Sequence, residues 1–122
     1  MTDLLLRGGR VYDPARSISN QALDIAVSDG RITQVAGNID PANFDSLIDV
    51  TGKIVAPGLI DLHTHYARDE EGPLVGLAGG VTGWVDAGSE GADQIDDMAA
   101  IARSAPQPGL VLINIGRAGI LP

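Results

Sequence analysis

Both histidines of this chain fall in one run, Pro57-Gly58-Leu59-Ile60-Asp61-Leu62-His63-Thr64-His65. The run is apolar, follows a Pro-Gly turn and reads as a β-strand. Side chains two apart on a strand point to the same face. His63 and His65 therefore share a side with Asp61, and Leu62 and Thr64 take the other. Two imidazoles converging at a strand end can offer two nitrogen ligands to one metal ion. A bare His-x-His pair can equally be two surface histidines on an amphipathic strand, so the context has to discriminate.

With 122 residues the chain is long enough for one ordinary domain. Hydrophobic residues at 44% against charged residues at 20% describe a globular chain. Eight basic and sixteen acidic residues leave a net charge of −8, which argues against nucleic acid and anionic membrane surfaces as partners. The absence of cysteine removes disulfides and thiolate metal sites from consideration and is compatible with a cytoplasmic location, the one expected here. The apolar run at Leu4-Leu5-Leu6 is too short for a signal peptide. No stretch approaches the ~20 apolar residues of a membrane span.

Before Pro57 the pattern is one of short strands and turns. Leu4-Leu5-Leu6 stops at Gly8-Gly9, and Arg10-Val11-Tyr12 stops at Asp13-Pro14. Leu23 to Val27 and Arg31 to Val35 alternate around Asp29-Gly30, a strong hairpin signal. Ser46 to Val50 is another short strand. After Pro57 the pattern becomes β-α-β. Strand one is Leu59 to His65, and Leu74 to Gly79 forms a brief helix. Strand two is Gly83 to Ala87. A helix over Asp93 to Ser104 carries an apolar stripe of Ile95, Met98, Ala99 and Ala102, with Asp93 as its N-cap. Strand three, Leu110 to Ile115, is nearly all apolar, as in a parallel strand buried on both faces.

Pro57-Gly58-Leu59-Ile60-Asp61-x-His63-x-His65 closely resembles the signature of the amidohydrolase superfamily, in its dihydroorotase, hydantoinase and N-acyl amino acid deacetylase branch. The resemblance implies an α/β fold. Residues 1–57 would be the N-terminal part of a composite β-sandwich. Residues 58–122 would be the first three βα units of an incomplete (β/α)8 TIM-type barrel. A complete barrel takes about 250 residues, so the expectation is an N-terminal fragment that is inactive alone. The resemblance further implies that His63 and His65 bind a catalytic divalent metal, with zinc the usual occupant and one or two ions in the full enzyme. Such an ion lowers the pKa of its water toward ~7 and polarises the scissile carbonyl.

The family pattern also needs a lysine from strand four, histidines from strands five and six, and an aspartate from strand eight. The only lysine here is Lys53, before strand one, and there is no third histidine. The resemblance therefore carries a metal-binding role to His63 and His65 alone, and no catalytic acid or base is assigned within the chain. Asp61 reads either as a carboxylate orienting a metal-bound imidazole or as a structural residue bonded to backbone. Arg68, on the loop after the motif, is a candidate carboxylate clamp unless Asp69, Glu70 and Glu71 neutralise it. Ser89 follows strand two in Asp86-Ala87-Gly88-Ser89 and is a candidate contact to substrate or ligand, against the reading of a plain βα turn. Asn114 and Arg117, at and after strand three, are further candidates for substrate. Trp84, mid-strand, is read as packing.

The leading expectation is metal-dependent hydrolysis of an amide or ester bond in a small acylated substrate, of deacetylase type. A dihydroorotase- or hydantoinase-type cyclic amidohydrolase is the alternative within the class. A non-catalytic β-domain serving as a binding or assembly module is the alternative outside it. Three strands of a barrel leave an open apolar edge, so self-association or a homo-oligomer is also expected.

Overall fold

The computed structural model describes residues 3–120. The chain divides at Pro57/Gly58 into two compact units. The fold as a whole is mixed α/β, with strands dominating.

The first unit is one five-stranded sheet built from β1 (Leu4–Asp13), β2 (Ile18–Ser28), β3 (Arg31–Ala36), β4 (Ser46–Asp49) and β5 (Ile54–Val55). Its order is β3-β2-β1-β4, with β5 also beside β1. β1 and β2 pair antiparallel, as do β2 and β3, whereas β4 and β5 run parallel to β1. The sheet is thus mixed, which sets it apart from a free-standing antiparallel domain. Asp29 and Gly30 turn the hairpin with φ of 52° and 72°, the left-handed pair that a tight two-residue loop needs.

Gly8-Gly9 does not end a strand. β1 runs through it, with a register shift against β2 between Leu6 and Gly9. Gly8 takes φ of 72°, and the buried Asp24 carboxylate accepts its N–H at 2.8 Å and that of Ile39 at 3.0 Å. A bulge absorbs the extra residue where the sequence pattern suggested a break. Leu5, Ala26 and Ile39 form the core, with Ala36 and Phe44 packed on them. An apolar hollow of about 180 Å³ lies among Val11, Ile25, Ile32, Val35, Val55 and Pro57.

The second unit is a three-stranded parallel sheet of order β6-β7-β8, with β6 at Leu59–Thr64, β7 at Val81–Asp86 and β8 at Gly109–Val111. Helices α1 (Gly72–Ala78) and α2 (Ile95–Ser104) form the crossovers. Trp84, Ala67 and Met98 are its buried centre, with Tyr66, Ile95, Ile101, Ala102 and Ala105 around them. The Trp84 ring meets Tyr66 edge-on at 6.1 Å.

Two expectations need correction here. Asp93 does not cap α2: Gln94 holds that position without a side-chain bond, and Asp93 pairs with Arg117 at 2.6 Å. The third strand is also shorter than its apolar run. It ladders only over Gly109–Val111, and Leu110, Leu112 and Ile113 are exposed. Beyond Val111 the chain tracks the loop after β7, with Leu112 N–H donating to Asp86 and Asn114 N–H to Glu90. Among the described residues β8 pairs on one side only, with β7, while Val111 packs on the core around Trp84 and Met98.

Candidate metal-binding strand end

β6 delivers His63 as its penultimate residue, and His65 follows one residue past its end. The two rings stand 5.7 Å apart, edge to face at 83°, and both residues are exposed. Nitrogens about 2.0–2.1 Å from a shared tetrahedral zinc would put the ring centres roughly 5–6 Å apart, so the spacing fits a common ion. Thr64 between them is buried, and its hydroxyl donates to Val85 O at 3.0 Å, pinning the end of β6 to β7. Among the described residues no group of three or more His, Cys, Asp or Glu side chains is placed to hold a metal ion. The pair fits part of a metal site, two ligands short of a tetrahedral set.

Asp61 touches neither ring by hydrogen bond. Its Oδ1 accepts the backbone N–H of His63 at 3.1 Å, the backbone-bonded alternative of the two readings. Ser89, by contrast, reaches the pair directly: its Oγ lies 2.8 Å from His65 Nδ1. The same hydroxyl donates to Asp86 Oδ2 at 2.8 Å. Asp86 ends β7 with no exposed surface. Its carboxylate also accepts the N–H groups of Ala67 at 3.0 Å, Gly88 at 3.1 Å and Ser89 at 2.8 Å. One carboxylate thereby ties the loop after β6 to the loop after β7. Gly88 makes the turn possible with φ of 92°, a value that side chains other than glycine rarely adopt.

Asp86 was missed by sequence reasoning, which placed it near the end of strand two and gave it no role. The signal was available in Asp86-Ala87-Gly88-Ser89: an aspartate two and three residues ahead of free N–H groups is an Asx-turn pattern. The remaining candidates surround this network without touching the imidazoles by hydrogen bond. Arg68 pairs with Glu90 at 3.3 Å, not with Asp69, Glu70 or Glu71. Asn114 lies past β8, where its amide donates to Gly88 O at 2.7 Å and accepts Gly116 N–H at 2.7 Å. Arg117 is held by Asp93. Glu90 and Asp93, the acidic partners of both arginines, carry no signal that marks them in the sequence.

No family model matches the chain. Among curated proteins it is similar to the dihydroorotase of Streptococcus thermophilus (strain CNRZ 1066), 39% identical over an 87-residue alignment that covers 65% of this chain and 20% of that protein. The dihydroorotase of Syntrophotalea carbinolica is 40% identical over 87 residues, again 20% of its length. The chain therefore spans about a fifth of these relatives. Among solved structures, a dihydroorotase superposes with a TM-score of 0.79 at 23% identity, over 98% of this chain and 33% of that one. An adenine deaminase gives 0.75 at 27% identity over 98% and 32%. The L-hydantoinase of Arthrobacter aurescens gives 0.71 at 18% identity over 91% and 27%.

Proposed function

Because this chain belongs to the amidohydrolase superfamily, we propose that it contributes the first metal-binding strand of a hydrolase that opens a cyclic amide. The observation that carries the reading is the pair His63 and His65, on one side of a strand end with rings 5.7 Å apart. The names of the relatives favour ring opening over removal of an acyl group, which the loop after β7 had suggested. Under this reading residues 1–57 are one sheet of a composite sandwich, and the apolar hollow is surface that a second sheet would cover. β6, α1, β7, α2 and β8 are the first three strands and two crossover helices of a barrel.

His63 and His65 would hold a divalent cation. The chemistry such a cation supplies is polarisation of the amide carbonyl and activation of water near neutral pH. Two imidazoles fall short of the three protein ligands typical of catalytic zinc, so further ligands and the general base come from beyond these side chains. Arg68, beside the strand end, is suited to a substrate carboxylate, since a guanidinium binds carboxylate through two parallel bonds. Asn114 and Arg117, on the loop after β8, are further candidates for substrate contact under this reading. The substrate is a small molecule.

The test assays the gene product that contains this chain for ring opening of dihydroorotate and of a hydantoin, beside hydrolysis of an N-acetyl amino acid. Ring opening that is lost on chelation and on His63→Ala is expected. Turnover of the N-acetyl amino acid alone would replace the cyclic-amide reading with the deacetylase one. Activity that survives His63→Ala with His65→Ala would remove the metal role.

A further inference from the structure

We propose that Ser89 and Asp86 are positioning residues that set the tautomer of His65 and leave its Nε2 as the free electron-pair donor. The proposal rests on the metal-binding reading of His65 for its consequence, but not for its geometry. Asp86 Oδ2 accepts from Ser89 Oγ at 2.8 Å and from Ala67 N–H, and Asp86 Oδ1 accepts the N–H groups of Gly88 and Ser89. A serine hydroxyl has one proton. With that proton directed at Asp86, Ser89 Oγ faces His65 Nδ1 at 2.8 Å as an acceptor. The hydrogen on that contact must then come from the imidazole. A neutral imidazole protonated at Nδ1 carries its lone pair on Nε2.

The arrangement is a relay of fixed polarity, carboxylate to hydroxyl to imidazole. Ser89 and Asp86 are both fully buried, so water cannot substitute for either partner. Backbone bonds from Gly88 and Ser89 hold the carboxylate, so its orientation does not depend on the histidine. The ring of His65 is thereby fixed before any cation arrives, as a partner on the second nitrogen does for metal-bound imidazoles generally. His63 has no such partner among the described residues, which makes the two imidazoles inequivalent.

The test is two-bond proton–nitrogen correlation NMR on the full chain without metal, at about pH 8.5, where an ordinary imidazole is neutral. His65 is expected as the Nδ1–H form. In Ser89→Ala that preference is lost. In Asp86→Asn an amide NH₂ aimed at Ser89 Oγ reverses the relay, and His65 shifts to the Nε2–H form. A wild-type His65 found as Nε2–H, or a tautomer unmoved by Ser89→Ala, overturns the proposal. The wild-type measurement decides the matter even if both variants misfold. Zinc titration by calorimetry of the gene product that contains this chain separates the two readings: affinity about 10-fold to 100-fold weaker in Ser89→Ala is expected. An Nδ1–H His65 in a gene product that binds no zinc supports the relay and counts against the metal reading alone.

Discussion

Arg68 Nε meets Glu90 Oε1 at 3.3 Å, bridging the loop after β6 and the loop after β7. The guanidinium is roughly half exposed, so the pair contributes little to stability, about 0–1 kcal/mol. A double-mutant cycle with Arg68→Ala and Glu90→Ala in urea should return a coupling in that range. Glu90→Gln should also release Arg68 for anionic ligands. Carboxylate binding that weakens in Glu90→Gln would mean that Arg68 is not the clamp.

Asp24→Ala should be among the more damaging substitutions in the first unit. It strips the acceptor from the N–H groups of Gly8 and Ile39, the first on the bulge of β1. A buried donor left unpaired costs about 1–3 kcal/mol, so a loss of about 2–4 kcal/mol is expected. Hydrogen exchange should show the amides of Gly8 and Ile39 losing protection first. Unchanged protection there would show that the carboxylate is not what holds the bulge.

Asp49 should titrate below the usual aspartate value, because the Thr51 hydroxyl and then the Thr51 N–H bond its carboxylate, with a smaller contribution from Arg7. A folded-state pKa lowered in this way contributes stability above the unfolded pKa. That contribution fades as pH falls toward and through the folded pKa. Carbon-detected titration of the side chain measures it directly. A midpoint above the ordinary value would contradict the bonding, and Asp49→Asn should abolish this part of the acid sensitivity.

Gly109→Ala should disturb the second unit, because a Cβ there would collide with the buried Trp84 indole. The indole is fully packed and cannot swing aside, so overpacking of about 1–3 kcal/mol is expected, with altered Trp84 fluorescence. Gly37→Ala is the control: a Cβ at Gly37 meets nothing within 4 Å. Equal effects of the two substitutions would show that contact with the indole is not the cause.

The 122-residue chain should self-associate, and more so as salt rises. Leu59, Ile60, Leu62, Leu110 and Ile113 are all exposed on or next to the outer strands β6 and β8. An unpaired apolar edge templates pairing with another chain. The net charge of −8 opposes this, and salt screens that repulsion. Sedimentation at low and high ionic strength measures it; a monomer under both conditions would count against it.

Local order was legible in the sequence wherever one residue type forces one geometry. Asp29-Gly30 marked its hairpin because left-handed φ at two successive positions favours those residues, and the alternation around it is short-range. The apolar stripe of α2 repeats every turn, so Ile95, Met98 and Ala102 identified the inner face. His63 and His65 shared a side because a strand alternates with period two. Each of these depends on neighbours in the chain, and the chain alone therefore determines it. What depends on distant partners was decided only by the tertiary structure. Gly8-Gly9 became a bulge because the Asp24 carboxylate and the neighbouring strands hold it. Of the run Leu110 to Ile115 only Leu110 and Val111 laddered, because β7, their one partner among the described strands, ends at Asp86 opposite Val111. The polarity of the bond between Ser89 and His65 comes from Asp86, whose buried carboxylate takes the single hydroxyl proton. Periodicity cannot report that, because it arises only where the ends of β6 and β7 meet.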